Sequence, residues 1–165
     1  MAIEINNAEI HAVVKNAIQQ HGVTREALVP ILSDVNRAFG YIPFEAYKAI
    51  RQQIMLPDQP VYVTEGQIHS VATFYRMLAT KPRGRHVVWF CESAPCHVVG
   101  GRELIQALKT ELNLQPGETS LDNRWTLVTT SCLGVCAVGP VIVIDDDIYG
   151  NVSPADLPEI FAKYE

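Results

Sequence analysis

The sequence predicts an α+β protein: a helical first half, then a second half in which helices pack on a sheet. Three observations carry this. Apolar residues recur with a period near 3.6 up to about residue 78, and short β-branched and aromatic runs begin only after residue 85. The charge divides at the same place: residues 1–85 hold nine Lys/Arg against seven Asp/Glu, and residues 86–165 hold four against eleven. Expected boundaries are a helical domain over 1–79, a linker over 80–85 and a second domain over 86–165. The linker "TKPRGR" is basic and apolar-free, and carries Pro82 and Gly84.

In the first half, Ile10, Val13, Val14, Ala17 and Ile18 form one face of a helix that Gly22 ends. Thr24 is placed to cap a second helix with Leu28, Ile31, Leu32, Val35 and Phe39 on one side. Gly40 stands at its left-handed end. Pro30 predicts a kink there or a later start. Pro43 suits the first turn of "PFEAYKAIRQQI". The spacing of Thr64 and Gln67 is that of a capping box before "IHSVATFYRML". No internal repeat is present.

In the second half "HVVWF" reads as a strand ending at Cys91, and "WTLVTTS" as one ending at Cys132. Between them "VVGGRELIQALKTEL" reads as a helix through Leu104, Ile105, Leu108 and Leu112. "VIVI" and "IYGNV" flank Asp145–Asp147 as a hairpin, the acidic triplet being a solvated turn. Ser153-Pro154 opens a last helix. The order β-α-β-β-β-α suits helices layered on a sheet, α/β or α+β in kind.

Composition narrows function. With 48% apolar and 19% charged residues the 165-residue chain is globular, and its net charge of −5 offers no basic stripe for nucleic acid. The acidic N-terminus lacks the basic region of a signal or transit peptide, and the longest apolar run, Ala137–Ile144, is too short to span a membrane. A cytoplasmic protein is expected, in which cysteines serve as ligands or catalysts before structural disulfides.

All four cysteines lie in the second half as C-x4-C, 35 residues, then C-x3-C: Cys91, Cys96, Cys132 and Cys136. Each pair starts at a strand end, so two adjacent strands would bring both to one sheet edge. Four thiolates suit zinc or iron–sulfur. Neither pair is the tight C-x2-C knuckle of structural zinc, and Gly134, Ala137 and Gly139 permit close backbone approach to sulfur. An apolar setting (Leu133, Val135, Val138, Val141) would keep water from the site. Iron–sulfur is favoured; a zinc-stabilised interaction module and dithiol redox chemistry remain open. "CESAPC" is two residues too wide for a thioredoxin-type pair. His97 lacks the second histidine that a Rieske site needs, and is expected as a polar group near a helix start. His69 and Tyr75 are expected in packing or an interface. "VGGRE" lacks nucleotide-loop spacing, and no triad or H-E-x-x-H occurs.

The chain resembles the 24 kDa-subunit family of respiratory NADH dehydrogenase (complex I), with relatives in NAD-linked hydrogenases and formate dehydrogenases. The resemblance rests on "GYIP" at 40–43, "VATFY" at 71–75, "GRHVVWFCESAPC" at 84–96, "GETSLDNRWTL" at 117–127, "SCLGVCAVGPV" at 131–141 and "YGNVSP" at 149–154. It implies a four-helix bundle-like N-terminal domain followed by a thioredoxin-like [2Fe–2S] ferredoxin domain, with Cys91, Cys96, Cys132 and Cys136 as cluster ligands. It implies an electron-transfer subunit of an NAD(P)-linked oxidoreductase with no complete active site of its own. FMN and NAD(P) would sit on a flavoprotein partner, beside further iron–sulfur subunits. Phe74, Tyr75 and the basic linker are the expected docking region.

Overall fold

The computed structural model describes residues 6–54 and 62–164. Residues 1–5, part of the N-terminal stretch read above for a leader, lie outside them. The chain divides into two compact units, Met1–Pro82 and Arg83–Glu165.

In the first unit α1 (Asn7–His21) is capped by the Asn6 side chain, which accepts from the Ala8 N–H at 3.1 Å, and it ends at Gly22. α2 (Leu28–Phe39) starts four residues after Thr24, which places Pro30 in its first turn, where a missing N–H costs nothing. Of the two outcomes that Pro30 allowed, the later start is the one adopted. Gly40 ends α2 with φ 76°, a left-handed position that suits glycine. α3 (Phe44–Ile54) begins just after Pro43, whose carbonyl accepts from the Ala46 N–H. The inward faces bury Ile10, Val14, Ile31, Leu32, Val35, Ile50, Ile54 and Ile68 in one core. Asp34 ties α1 to α2, meeting His21 Nε2 at 2.8 Å and Arg37 Nη1 at 2.9 Å.

α4 (Glu65–Phe74) opens with the capping box reciprocated: the Gln67 N–H donates to Thr64 Oγ1, and the Thr64 N–H to Gln67 Oε1. Thr64→Ala is expected to cost about 1 kcal/mol, read from chemical unfolding of the full chain, because the Gln67 N–H loses its partner. The helix is shorter than its apolar pattern suggested. Tyr75 turns extended, and Leu78 reaches the core from a turn. The early end lets Ala79 pair with distant groups: its N–H donates to Asn36 Oδ1 at 2.8 Å, and its carbonyl accepts from Ile42 at 2.7 Å.

The second unit is built on a four-stranded sheet in the order β2-β1-β3-β4, with β1 His86–Cys91, β2 Trp125–Thr130, β3 Ile142–Ile144 and β4 Asp147–Tyr149. β1 runs parallel to β2, while β3 is antiparallel to both of its neighbours. Alternate strand residues Val88, Phe90, Leu127, Ile142 and Ile144 meet Leu104 and Leu108 of α6 (Arg102–Leu112) and Leu157 and Ile160 of α7 (Leu157–Ala162). The stretch expected as a linker is split between the units. Residues 83–85 are tied to the second unit: the Gly84 N–H donates to Thr126 Oγ1 at 2.6 Å, and the Arg85 N–H to the Asn123 carbonyl.

One further departure comes from contacts that periodicity does not encode. The helix expected over 98–112 starts earlier, as a single turn α5 (Ala94–Cys96), and is broken at Val99 and Gly100 before α6 begins. The acidic triplet lies exposed at the β3–β4 hairpin turn as expected, and it too makes contacts of that kind. Asp145 accepts from the Val87 N–H at 2.9 Å and meets His86 Nδ1 at 2.7 Å, and Asp147 accepts from the Tyr164 hydroxyl.

Candidate metal centre

Because β1 and β2 are parallel neighbours in register, with Cys91 opposite Thr130, their C-terminal ends lie side by side. Cys91 is the last residue of β1 and Cys96 the last of α5, so the first pair spans a strand end and the following turn. Cys132 and Cys136 occupy the loop that leaves β2, closed by a short 3-10 turn over Cys136–Val138. The loops are tied together: the Glu92 N–H donates to the Thr130 carbonyl at 3.0 Å, and the Cys91 N–H to the Val141 carbonyl at 3.2 Å. All four cysteines are free.

The sulfurs fall into two pairs at this end of the sheet. Cys132 Sγ and Cys136 Sγ are 3.3 Å apart, and the Gly134 N–H points at Cys132 Sγ from 3.4 Å. Gly134 has φ 83°, a left-handed turn that aims its N–H at the sulfur. Across the site, burial would push the Cys91 thiol up. The Ser93 N–H, the Cys96 thiol, the Leu133 N–H and the Ser93 hydroxyl outweigh it and hold the group below the usual cysteine value. Cys96 is pushed up, first by burial and then by Cys91, while the Val141 N–H acts the other way. Cys136 is also raised, chiefly by its contact with Cys132.

Exposure separates the pairs. Cys91 and Cys96 are each 1% exposed and pack with Val141, Val135 and Val143. Cys132 and Cys136 are exposed, and Leu133 and Val138 beside them are each 39% exposed. The apolar shield expected around the whole site therefore covers one side only. Val135 and Val141 provide it, while Leu133 and Val138 face outward.

Glycine governs how closely the pairs approach. A Cβ on Gly139 would lie 3.3 Å from Cys96 Sγ and 3.2 Å from Val99, so this glycine lets the Cys136 loop press against the other pair. The Gly100-Gly101 pair is what periodicity missed; its signal, the doubled glycine of "VVGGRE", suggested only a nucleotide loop that the spacing excluded. Gly101 gives clearance beneath the Cys96 carbonyl, while Gly100 takes a positive φ of 114° at the break before α6. His97 meets Arg102 at 3.2–3.3 Å and lies on the surface, as expected of a polar group at a helix start. In the first unit the His69 ring packs edge-on to Tyr47, and Tyr75 contacts the exposed Phe74.

The donor set can be tested against zinc. A zinc ion needs its ligands gathered on one point, whereas a two-iron cluster takes two thiolates per metal and straddles the gap. Among the described residues, no three His, Cys, Asp or Glu side chains converge as ligands of a single ion. Two thiol pairs, with the Gly134 N–H aimed at Cys132 Sγ, suit the donor chemistry of a two-iron cluster.

Comparison with known proteins agrees. Residues 14–165 match the profile of the thioredoxin-like [2Fe-2S] ferredoxins, and the chain belongs to that family. It is 35% identical to an NADH-quinone oxidoreductase subunit of Escherichia coli K12 over 164 residues, covering 99% of this chain and 94% of that protein. The same subunit from Salmonella typhimurium is equally similar, at 35% identity over the same coverage. The structure of an NAD+-reducing [NiFe]-hydrogenase matches in fold with a TM-score of 0.64 and 22% identity, over 81% of this chain and 22% of the hydrogenase chain. No helix of the described residues is long and apolar enough to cross a membrane.

Proposed function

We propose that this chain is a [2Fe–2S] electron-transfer subunit of an NAD(P)-linked oxidoreductase complex, with Cys91, Cys96, Cys132 and Cys136 as the cluster ligands. The observation that carries the reading is the convergence of two thiol pairs at the shared end of two parallel strands. A family match across both units supports it. Each pair would hold one iron: Cys91 and Cys96 from the buried side, Cys132 and Cys136 from the exposed side. When bound, the cluster supplies one-electron storage.

The chain's own residues do the remainder. The Gly134 N–H faces Cys132 Sγ from 3.4 Å and would offset the negative charge of that thiolate. Val135, Val141 and Val143 exclude water behind the buried pair. The partner is a flavoprotein carrying FMN and binding NAD(P), with further iron–sulfur subunits, in the cytoplasm. Full-length relatives that belong to NADH-quinone oxidoreductase support this. Phe74, Tyr75 and the stretch 80–85 belong to its docking surface; Phe74 is strongly exposed at the end of α4.

Anaerobically purified protein is expected to be reddish-brown, with two iron atoms and two acid-labile sulfides per chain, and to bleach with dithionite while gaining an EPR signal. Colourless protein carrying stoichiometric zinc would mean the interaction-module reading instead. Purification from the native host is expected to bring an FMN-containing subunit along. Recovery solely as a free monomer would count against the complex.

A further inference from the structure

The four thiols leave one motif without a role, "YGNVSP" at 149–154. β4 ends at Tyr149, and the residues after it run along the stretch that follows Cys136. The Asn151 N–H donates to the Val138 carbonyl at 2.6 Å, and the Val152 N–H to the Pro140 carbonyl at 3.2 Å. Gly150 lies against the same stretch with no space for a side chain. A Cβ there would fall 2.8 Å from Val138 Cβ and Cγ2, and 2.9 Å from the Val138 carbonyl oxygen. Its backbone is not left-handed, so space alone excludes the side chain. Val152, buried in the core of the second unit, anchors the segment.

Val138 closes the 3-10 turn Cys136–Val138, so what holds Val138 holds Cys136. The turn's own bonds are local: the Val138 N–H donates to the Val135 carbonyl, and the Gly139 N–H to the Cys136 carbonyl. Among the described residues, the bond from Asn151 is the one backbone–backbone hydrogen bond that ties residues 131–139 to a distant part of the chain. Burial does little to fix this loop, since Cys132, Leu133, Cys136 and Val138 are all exposed. We propose that Gly150 is a positioning residue for the exposed iron: lacking a side chain, it lets the end of β4 lie against Val138 and hold Cys136 in place. Asn151 and Val152 supply the bonds, and Gly150 the close approach that they need. This inference rests on the reading that Cys136 ligates a [2Fe–2S] cluster.

The test compares full-length wild type, Gly150→Ala and Asn151→Gly, each loaded anaerobically. Asn151→Gly is the control, because this exposed residue has φ 53°, which glycine adopts freely, and its N–H remains. Loss of an outer partner of a metal ligand costs about 10–100-fold in metal binding. Iron release to bathophenanthroline disulfonate is therefore expected about tenfold faster from Gly150→Ala, with shifted Fe–S(Cys) Raman bands, and unchanged in the control. Amide hydrogen exchange of the iron-stripped variant should rise over residues 131–140 and not over β1 or α6. Wild-type release or unshifted bands in Gly150→Ala overturn the proposal. So does an exchange rise spread evenly over β1, β2 and α6, which would make Gly150 a residue of general stability. If Gly150→Ala does not fold, Val138→Ala decides, since it removes the Cγ2 that Gly150 faces: faster release with exchange rising in the loop alone supports the proposal, and wild-type behaviour overturns it. A wild type without iron would sink the functional reading instead, and loop exchange in the cluster-free chain then decides whether Gly150 holds the Cys136 loop.

Discussion

The Gly101→Ala variant is expected to destabilise the C-terminal unit by about 3 kcal/mol, at the upper end of overpacking effects. An alanine Cβ there would lie 2.6 Å from the Cys96 carbonyl oxygen and 3.0 Å from its carbon. These are backbone atoms that cannot rotate aside, so relief requires moving Cys96 itself, and its sulfur with it. Chemical unfolding should show the loss, and iron content should fall in parallel. Gly66→Ala in α4 serves as control: its Cβ would meet nothing closer than 3.9 Å, so a change within about 1 kcal/mol is expected for a helical glycine. Stability and iron content both unchanged in Gly101→Ala would show that the loop yields easily and that the glycine pair is not required.

Cys96→Ser is expected to remove most of the iron and sulfide while leaving both units folded by circular dichroism. A serine hydroxyl is a harder donor than thiolate and suits iron–sulfur poorly, and here it would also sit where the cysteine is 1% exposed, without water to relieve it. Cys132→Ser should also lose or weaken the cluster, with the helical unit unaffected. A zinc site would behave otherwise, since three remaining thiolates and a water can still complete four-coordination. Full iron and sulfide in Cys96→Ser would strike that residue from the ligands.

Much of the chain is legible where a residue's own backbone or capping chemistry decides the outcome. Gly22, Gly40 and Thr64 mark helix ends by what they permit locally, and the structure places those ends there. The β-branched runs that stop at Cys91 and Cys132 identify the strands whose ends carry the thiols. Departures occur where a distant group intervenes. α4 stops at Phe74 because Ala79 pairs with Asn36 and Ile42, and Asp145 reaches His86 and Val87 from its exposed turn.

By itself the sequence determined the α+β order of elements and the cysteine pairs at strand ends, because periodicity, turn chemistry and spacing are properties of neighbours along the chain; the family rested on the resemblance of its motifs. Only the tertiary structure decided that the pairs converge, since that depends on β1 and β2 being adjacent, parallel and in register. It alone decided that one pair is buried and the other open to solvent, because burial is set by residues such as Val141 and Val143, arriving from elsewhere in the chain.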